Sequence, residues 1–327
     1  MHERTLGRTG RRVSVVGLGT WQLGADWGAV DEKDALAVLD AATEAGVTFF
    51  DTADVYGDGR SEQLIGRFLS ANPTLDLTVA TKMGRRVEQV PENYRYSNFR
   101  AWTDRSRRNL GVETLDLVQL HCPPTSVYSS DEVFDALDRL VSDGAIRNYG
   151  VSVETCDEAL TAIARPGVAT VQIILNAFRL KPLDRVLPAA VEAGVGIIAR
   201  VPLASGLLSG KYTAQTTFAA DDHRTYNRHG EAFDVGETFS GVDFETGVNA
   251  AHAFAAAVPD GLTPAQAAIA WVAQQEGVSS VIPGARSPEQ ARSNAAAGAA
   301  APLGAEFEST VRSVYDEYLR AAVHSRW

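Results

Sequence analysis

The stretch GVTFFDTADVYGDGRSE, residues 46 to 62, carries the pattern that decides the fold. Its first six residues, GVTFFD, form a nearly continuous apolar run that ends at Asp51. Such runs are typical of parallel strands that are covered on both faces. Asp54, Tyr56 and a glycine-rich turn follow at once. Polar residues are common wherever a strand turns, so the placement of Asp51 and Tyr56 gains meaning only if the rest of the chain matches it.

Seven more runs of this kind occur along the chain, and amphipathic helical patterns separate them. Eight strand–helix units in 327 residues predict an α/β protein with a (β/α)8 TIM barrel, and a doubly wound open sheet is the alternative. The seven runs are VSVVGLG (13–19), LTVATK (77–82), LDLVQLH (115–121), AIRNYGVS (145–152), ATVQIIL (169–175), VGIIAR (195–200) and SSVIPG (279–284).

Three segments lie outside the repeat. LGRTGRR, residues 6–12, predicts the turn of an N-terminal β-hairpin, and residues 304–327 predict a C-terminal helix. Residues 212–244 are irregular and long for a loop, which indicates a functional segment. The length would allow two domains, but no proline- or serine-rich linker divides the chain. We therefore expect a single barrel domain over residues 1–327.

Composition and charge narrow the class of function. The net charge of −11 disfavours nucleic acid or an anionic membrane as the main partner, so an anionic ligand would need a local basic pocket. Cys122 and Cys156 are the two cysteines, and they offer neither a metal-binding spacing nor a disulfide framework. The polar start and the lack of an 18-residue apolar run predict no signal peptide and no transmembrane helix. The expected location is cytoplasmic.

Polar residues stand at the ends of the predicted strands. In a barrel the carboxyl ends of all strands meet at one rim, and the chemistry takes place there. The residues at these strand ends are Asp51, Lys82, His121, Ser152 and Arg200, and Tyr56 lies a few residues beyond the first of them.

Four of these residues could build an acid catalyst. Tyrosine has a pKa near 10, and a neighbouring ammonium such as Lys82 would lower it. Asp51 would supply the counter-charge of Lys82, and His121 would hydrogen-bond a substrate carbonyl. Taken singly, each residue has a structural explanation as a turn, packing, strand-end or core residue. Their delivery by three successive strands favours catalysis.

The same residues carry a resemblance to the aldo-keto reductase family along nearly the whole chain. The resemblance implies a (β/α)8 barrel that binds NADPH or NADP+. Tyr56 would be the general acid, tuned by Lys82 and Asp51, and His121 would orient the carbonyl. The motifs, all in the family's order, are GLGTWQLG, FDTADVYGDGRSE, ATKMG, LVQLHCP, YGVSVE, LASGLLSGKY and IPGARSPEQARSN.

The resemblance also implies a set of cofactor-binding residues. Ser152, Gln172 and Arg200 are expected at the nicotinamide, and Leu203, Gly206, Lys211 and Arg224 along the pyrophosphate. Arg286 and Gln290 are expected at the adenosine 2′-phosphate and Asn294 at the adenine. Further cofactor-binding candidates, without an assigned part of the cofactor, are Gly19, Thr20, Trp21, Asp51 and Gly284.

Three positions depart from the family pattern. Val153 replaces the usual asparagine, so one hydrogen bond to the nicotinamide carboxamide is expected to be lost. Arg200 replaces the usual tyrosine or tryptophan, although its planar guanidinium could still stack on the ring. Ser293 replaces a glutamate near the adenine.

The substrate pocket is expected to contain Trp21, Trp27, Tyr56 and His121, with Tyr94, Tyr96 and Cys122 as further candidates for its wall.

Several rival motifs are absent. The chain has no dinucleotide-binding GxGxxG fingerprint, no Walker loop and no tyrosine followed four residues later by lysine. The spacing of its histidines fits no familiar metal site, so no metal is expected.

Two functions from different classes follow. The first is an NADPH-dependent reductase of an aldehyde, ketone or sugar carbonyl, with a small molecule as its partner. The second is an NADP(H)-binding regulatory or sensor subunit with slow turnover, which resembles the β subunits of potassium channels. The sequence leaves open the substrate, the direction of reaction and the strictness for NADPH. A monomer is the default oligomeric state.

Overall fold

The computed structural model describes residues 1–24 and 31–327, and its strands follow the predicted order. An antiparallel hairpin precedes eight parallel strands in these ranges. The hairpin strands are β1 (Glu3–Thr5) and β2 (Arg12–Ser14); the parallel strands are β3 (Leu18–Gly19), β4 (Phe49–Asp51), β5 (Thr78–Met83), β6 (Leu115–His121), β7 (Ile146–Ser152), β8 (Val168–Ile174), β9 (Gly196–Arg200) and β10 (Val278–Val281).

The helices alternate with these strands as the amphipathic patterns predict. Several begin at the expected caps: Thr155 and Thr263 each form a capping box, and Ser287 caps the helix that follows β10. In the described ranges the helices are α1 (Glu32–Glu44), α2 (Arg60–Ala71), α3 (Tyr96–Leu110), α4 (Asp131–Ser142), α5 (Cys156–Ile163), α6 (Pro182–Ala193), α7 (His223–Tyr226), α8 (Phe244–Ala256), α9 (Pro264–Gln274), α10 (Pro288–Ala296), α11 (Gly304–Tyr318) and α12 (Arg320–Val323).

The sheet closes into a barrel. Each strand from β3 to β10 pairs with its neighbour in sequence, and the first and last strands are joined by backbone hydrogen bonds. Gly17 donates to the Val281 carbonyl (2.8 Å), Val281 to the Val15 carbonyl (2.9 Å) and Gly19 to the Pro283 carbonyl (3.0 Å). The predicted (β/α)8 barrel is therefore confirmed, and the alternative of an open sheet is wrong.

An apolar layer and the hairpin fill the amino-terminal end of the barrel. Successive side chains on a strand point alternately into and out of the barrel, so residues two apart share a face. Above this layer the inward positions become polar, at Asp51, Lys82 and Gln119. The layer consists of Phe49, Ala80, Leu117, Ile198 and Ile282, with Leu6 and Val13 contributed by the hairpin.

The predicted irregular segment, residues 212–244, is longer in the structure: it spans residues 201–243, between β9 and α8, and lies over the other end of the barrel. It contains the short helix α7, and its Phe233 ring meets Trp21 edge-on at 5.9 Å. Trp327 anchors the segment from the outside, because its indole N–H donates to Asp234 Oδ1 (3.0 Å).

The predicted C-terminal helix is interrupted at Leu319, which lies between the end of α11 at Tyr318 and the start of α12 at Arg320. Leu319 and Val323 are buried, and the break turns the chain back so that both side chains and Trp327 pack inward. Among the residues that the structure describes, no helix is both long and apolar enough to cross a membrane.

The N-terminal hairpin, which plugs the barrel, contains between β1 and β2 two glycines that can be substituted as a matched pair. Gly7 and Gly10 both have a left-handed φ, of +48° and +67°. A Cβ at Gly7 would overlap the backbone of Gly196 and Ala169, whereas a Cβ at Gly10 would meet nothing within 4 Å.

We expect Gly10→Ala to cost about 1 kcal/mol of unfolding free energy, from backbone strain alone. Gly7→Ala should cost about 3 kcal/mol or more, because the plug must also move away from β9. Urea unfolding followed by circular dichroism would measure both. Equal losses would show that the hairpin does not need its close approach to the barrel.

Candidate active site

The four residues of the predicted catalytic set come together at the carboxyl end of the barrel. Lys82 Nζ forms an ion pair with Asp51 Oδ1 and donates to the Thr52 carbonyl (3.0 Å). The same nitrogen lies 3.3 Å from the Tyr56 hydroxyl. The His121 ring meets the Tyr56 ring edge-on, with 6.0 Å between centroids. Three strand ends and one loop thus deliver all four groups to one place.

The loop after β4 turns sharply, which places Tyr56 above Lys82. Gly57, Asp58 and Gly59 all have positive φ, at 57°, 52° and 93°. A Cβ at Gly57 would overlap the Gly24 backbone, so glycine is needed there. The glycine-rich turn after Tyr56 therefore serves to fold the chain back tightly at the rim.

Lys82 carries a positive charge although it is only 1% exposed. Burial acts to lower the pKa of Lys82, but Asp51 and then Tyr56 raise it, and the net shift is upward. The ammonium is consequently permanent at neutral pH and available to the Tyr56 hydroxyl.

The pKa of Tyr56 moves in the direction opposite to the one expected from Lys82 alone. Loss of solvent around the hydroxyl raises this pKa, and Lys82 offsets only part of the rise. The expectation of a net lowering is wrong for this structure, because desolvation outweighs the ammonium. Tyr56 is therefore protonated at neutral pH, which is the state that a proton donor needs.

His121 and Cys122 are both uncharged in this site. Burial lowers the pKa of His121 well below its ordinary value, and the nearby Arg85 and Lys82 lower it further. Burial raises the pKa of the Cys122 thiol to about 12. His121 can thus act as a neutral hydrogen-bond donor, and Cys122 is not poised as a nucleophile.

Two glutamines hold the second oxygen of Asp51. Gln172 Nε2 donates to Asp51 Oδ2 (2.8 Å), and Gln119 Nε2 donates to the same oxygen (3.1 Å). Gln172 was expected only at the cofactor, and Gln119 was not identified from the sequence. The signal was present in LDLVQLH, since Gln119 lies two residues before His121 on the inward face of β6.

Arg200 stands at the end of β9, as predicted, but inside an ion-pair network. It pairs with Glu237 and with Glu154 Oε2 (2.9 Å), and Arg85 pairs with Glu154 Oε1 (3.2 Å). Burial opposes the charge of Arg200, yet Glu237 and Glu154 raise its pKa well above the ordinary value. The sequence did not indicate this network, because its other members, Glu154, Arg85 and Glu237, come from three separate loops.

Further residues expected to bind the cofactor also lie at this rim. Thr20 donates from both its amide and its hydroxyl to the Asp51 carbonyl (3.0 Å each). The Trp21 ring stacks on Tyr56 at 6.1 Å. Ser152 ends β7, where its hydroxyl accepts from Cys122 Sγ (3.4 Å), and Gly19 forms a bridge to Gly284.

The phosphate-binding candidates divide into two groups. Leu203 and Gly206 lie in the tight turns after β9, where Gly206 has a φ of +95° and packs against Tyr212. Arg224 is bound to Asp222 and to the Tyr212 hydroxyl (2.5 Å). Its charge is therefore balanced, and it adds less to a basic pocket than the sequence indicated.

Lys211 and Arg286 form no ion pair with any residue in the described ranges. Arg286 stands just before α10, and its backbone N–H donates to Gln290 Oε1 (2.8 Å). Asn294 Nδ2 donates to the Gly284 carbonyl (3.0 Å). The candidates for the adenosine end thus cluster at the beginning of α10, where backbone N–H groups favour anions.

The structure brings together only some of the residues predicted for the substrate wall. Trp21, Tyr56 and His121 lie together, whereas Trp27 lies outside the described residues. Tyr96 is wrong as a wall residue, because its hydroxyl donates to Asp143 (2.5 Å) and its ring packs on Arg139. Tyr94 is buried against Phe99 and Trp102 in a small aromatic cluster.

Comparison with known proteins yields a consistent set of relatives. The family model described as "Aldo/keto reductase family" matches residues 15–316. The uncharacterized oxidoreductase YqkF of Bacillus subtilis (strain 168) is 30% identical over 317 residues, which cover 96% of each chain. A probable voltage-gated potassium channel subunit beta of Oryza sativa subsp. japonica is 30% identical over 322 residues, which cover 93% of each. The structure of a glycerol dehydrogenase from Gluconobacter oxydans matches with a TM-score of 0.77 and 30% identity, covering 94% of this chain and 93% of that one.

One buried acid beside the site takes no part in the contacts above. Asp54 is 1% exposed, and neither of its carboxyl oxygens has a hydrogen-bond partner among the described residues. Burial, and then the nearby Glu62, raise the pKa of Asp54 to about 7. The native fold therefore favours the protonated form of this carboxyl group.

We expect Asp54→Asn to stabilise the protein at neutral and alkaline pH. In the unfolded chain Asp54 loses its proton near pH 4, whereas in the folded protein it keeps the proton up to about pH 7. Wild-type stability should thus fall across this window by up to about 1.4 kcal/mol per pH unit, and the variant removes this loss. Thermal unfolding of both proteins from pH 4 to 9 would measure the difference. A difference that does not grow with pH would contradict the buried titration.

Proposed function

The chain belongs to the aldo/keto reductase family of oxidoreductases, and from that premise we propose that it uses NADPH to reduce an aldehyde, ketone or sugar carbonyl to an alcohol. The observation that carries the proposal is the position of Lys82 Nζ, between Asp51 and the Tyr56 hydroxyl. A tyrosine and a buried ammonium in contact form a proton donor whose phenolate is stabilised as it appears.

Each group has a defined part in the proposed reaction. The bound cofactor would supply the hydride to the carbonyl carbon. Tyr56 donates its proton to the carbonyl oxygen, and the Lys82 ammonium stabilises the resulting phenolate. Neutral His121 donates a hydrogen bond to the same oxygen and orients it. Solvent then returns the proton to Tyr56.

The residues present fit NADP(H). Gln172 Oε1 accepts no hydrogen bond from any described residue, so it is suited to a carboxamide N–H. Lys211, Arg286 and the beginning of α10 offer positive charge and N–H groups to phosphates. Ser152 and Gln172 would hold the nicotinamide end, and Arg286, Gln290 and Asn294 would hold the adenosine end.

The relatives leave a second function open. The potassium channel subunit is similar over nearly the whole chain, so a slow NADP(H)-binding subunit is the alternative. The glycerol dehydrogenase indicates hydroxyl-bearing small molecules as the first substrates to test. Turnover separates the two functions, because a sensor subunit would bind NADPH tightly with negligible oxidation of it.

We expect Tyr56→Phe to reduce turnover by a factor of about 10² to 10⁴, since the proton donor is removed and the ring is kept. NADPH oxidation, followed by absorbance against aldehydes, dicarbonyls and sugars, would measure the loss. Tyr149→Phe is the matched control, because that hydroxyl bonds Asp138 (2.7 Å) away from the site. Full activity in Tyr56→Phe would refute the assigned acid.

We expect Arg286→Ala to weaken NADPH binding about tenfold or more, and NADH binding far less, because only NADPH carries the 2′-phosphate. Fluorescence titration of both cofactors would measure this. Arg292→Ala is the control on the same helix, since Arg292 pairs with Glu44 on α1 (3.1 Å). Equal weakening of both cofactors would remove Arg286 from the 2′-phosphate site.

A further inference from the structure

Gln119 lies at the centre of the polar layer in the barrel. Its exposed fraction is 0%, and its register partner on β5 is Lys82. The side chain points inward with Leu117 below it and His121 above it on β6. A primary amide in this position must be satisfied by neighbouring polar groups, because water does not reach it.

Its hydrogen bonds settle the orientation of the amide. An ionised carboxylate only accepts hydrogen bonds, so the group that faces Asp51 Oδ2 at 3.1 Å must be the Gln119 amino group. The Gln119 oxygen then accepts from Gln172 Nε2 (3.3 Å). One Gln172 N–H goes to Asp51 and the other to Gln119, so the three side chains form a closed ring of hydrogen bonds.

The two carboxylate oxygens of Asp51 therefore have different partners. Oδ1 holds Lys82, and Oδ2 accepts from Gln119 and Gln172. If Gln119 could not donate, Oδ2 would keep a single donor in a site closed to water. The charge of Asp51 would then be less well balanced, and its carboxylate would be freer to rotate away from Lys82.

We propose that Gln119 is a positioning residue, which fixes and balances Asp51 so that Lys82 stays directed at the Tyr56 hydroxyl. The proposal rests on the function proposed above. It also gives Gln172 a second role, because one amide would touch both the nicotinamide carboxamide and Asp51. Because Gln119 is 0% exposed, it would touch neither substrate nor cofactor.

Loss of the Gln119 hydrogen bond should raise the pKa of Tyr56. The charged and titratable groups that act on Tyr56 are Lys82 on β5, Asp51 on β4 and Glu237 on the long segment, and neutral His121 on β6 packs against its ring. Asp51 raises the pKa of Tyr56, and a less balanced Asp51 raises it further. Without the Gln119 donor, the alkaline limb of the reduction profile should move to higher pH, and the rate should fall.

Two substitutions of nearly the same size separate hydrogen bonding from packing. Gln119→Met fills the space and cannot donate; we expect kcat to fall about tenfold and NADPH affinity to stay within about threefold.

Gln119→Glu can donate to Asp51 only while its carboxyl is protonated. Burial beside Asp51 favours that state at low pH. We expect near wild-type kcat at about pH 6 and a steep loss as the introduced carboxyl ionises. Gln63→Met, on the exposed face of α2, is the control.

A measurement on the protein without cofactor tests the same point. Phenolate absorbance, taken as the difference between each protein and its Tyr56→Phe counterpart, reports the ionisation of Tyr56 alone. We expect this ionisation at higher pH in Gln119→Met than in the wild type. Circular dichroism would verify the fold, and Gln119→Glu at low pH keeps the test decisive if Gln119→Met does not fold.

The outcomes distinguish the two proposals. Wild-type pH profiles in both Gln119 variants, or equal losses in both at every pH, would overturn the role of Gln119 while Tyr56→Phe remains inactive. Full turnover in Tyr56→Phe would overturn the proposed function instead. The phenolate titration would still report whether Gln119 acts on Tyr56 through Asp51.

Discussion

The buried ion pair between Asp51 and Lys82 is the interaction on which the rim of the barrel depends. Taking both charges out of water is costly, and the pair is tolerable only if the remaining polar atoms are satisfied. Gln119, Gln172 and the Thr52 carbonyl provide those contacts. Parallel register makes them possible, because a slip of one residue would turn every inward side chain to the outside.

The opposite end of the barrel keeps that register fixed. Backbone hydrogen bonds join β3 to β10, and the hairpin fills the amino-terminal opening with apolar side chains. The carboxyl end, by contrast, stores strain. Cys122, Val201 and Ser205 have positive φ without being glycine, at 46°, 56° and 55°, and Val201 is also β-branched. A closed, packed base lets the rim hold such conformations where the site is built.

The sequence pattern predicted the features that depend on neighbouring residues, namely the strands and the residues at their ends. Eight apolar runs placed the strands, and the strand ends gave Asp51, Lys82 and His121 directly, because alternation fixes which side chains face inward. Contacts between distant loops were beyond that reasoning. Glu237 lies in an irregular segment with no periodicity, so its pairing with Arg200 could not be predicted. Tyr96 was misplaced for the same reason, since its partner Asp143 follows a different helix.

The contact between Arg200 and the distant Glu237 affects the charge that Arg200 would present to a bound nicotinamide. If its guanidinium stacks on the nicotinamide, as the family pattern implies, its charge would oppose the cationic ring that hydride loss creates. Glu154 and Glu237 together balance the charges of Arg200 and Arg85, so the planar group could serve in place of an aromatic ring. Glu237, however, belongs to residues 201–243, and Trp327 holds that segment through Asp234. The electrostatics around Arg200 therefore depend on how the long segment packs, and not on the strand ends alone.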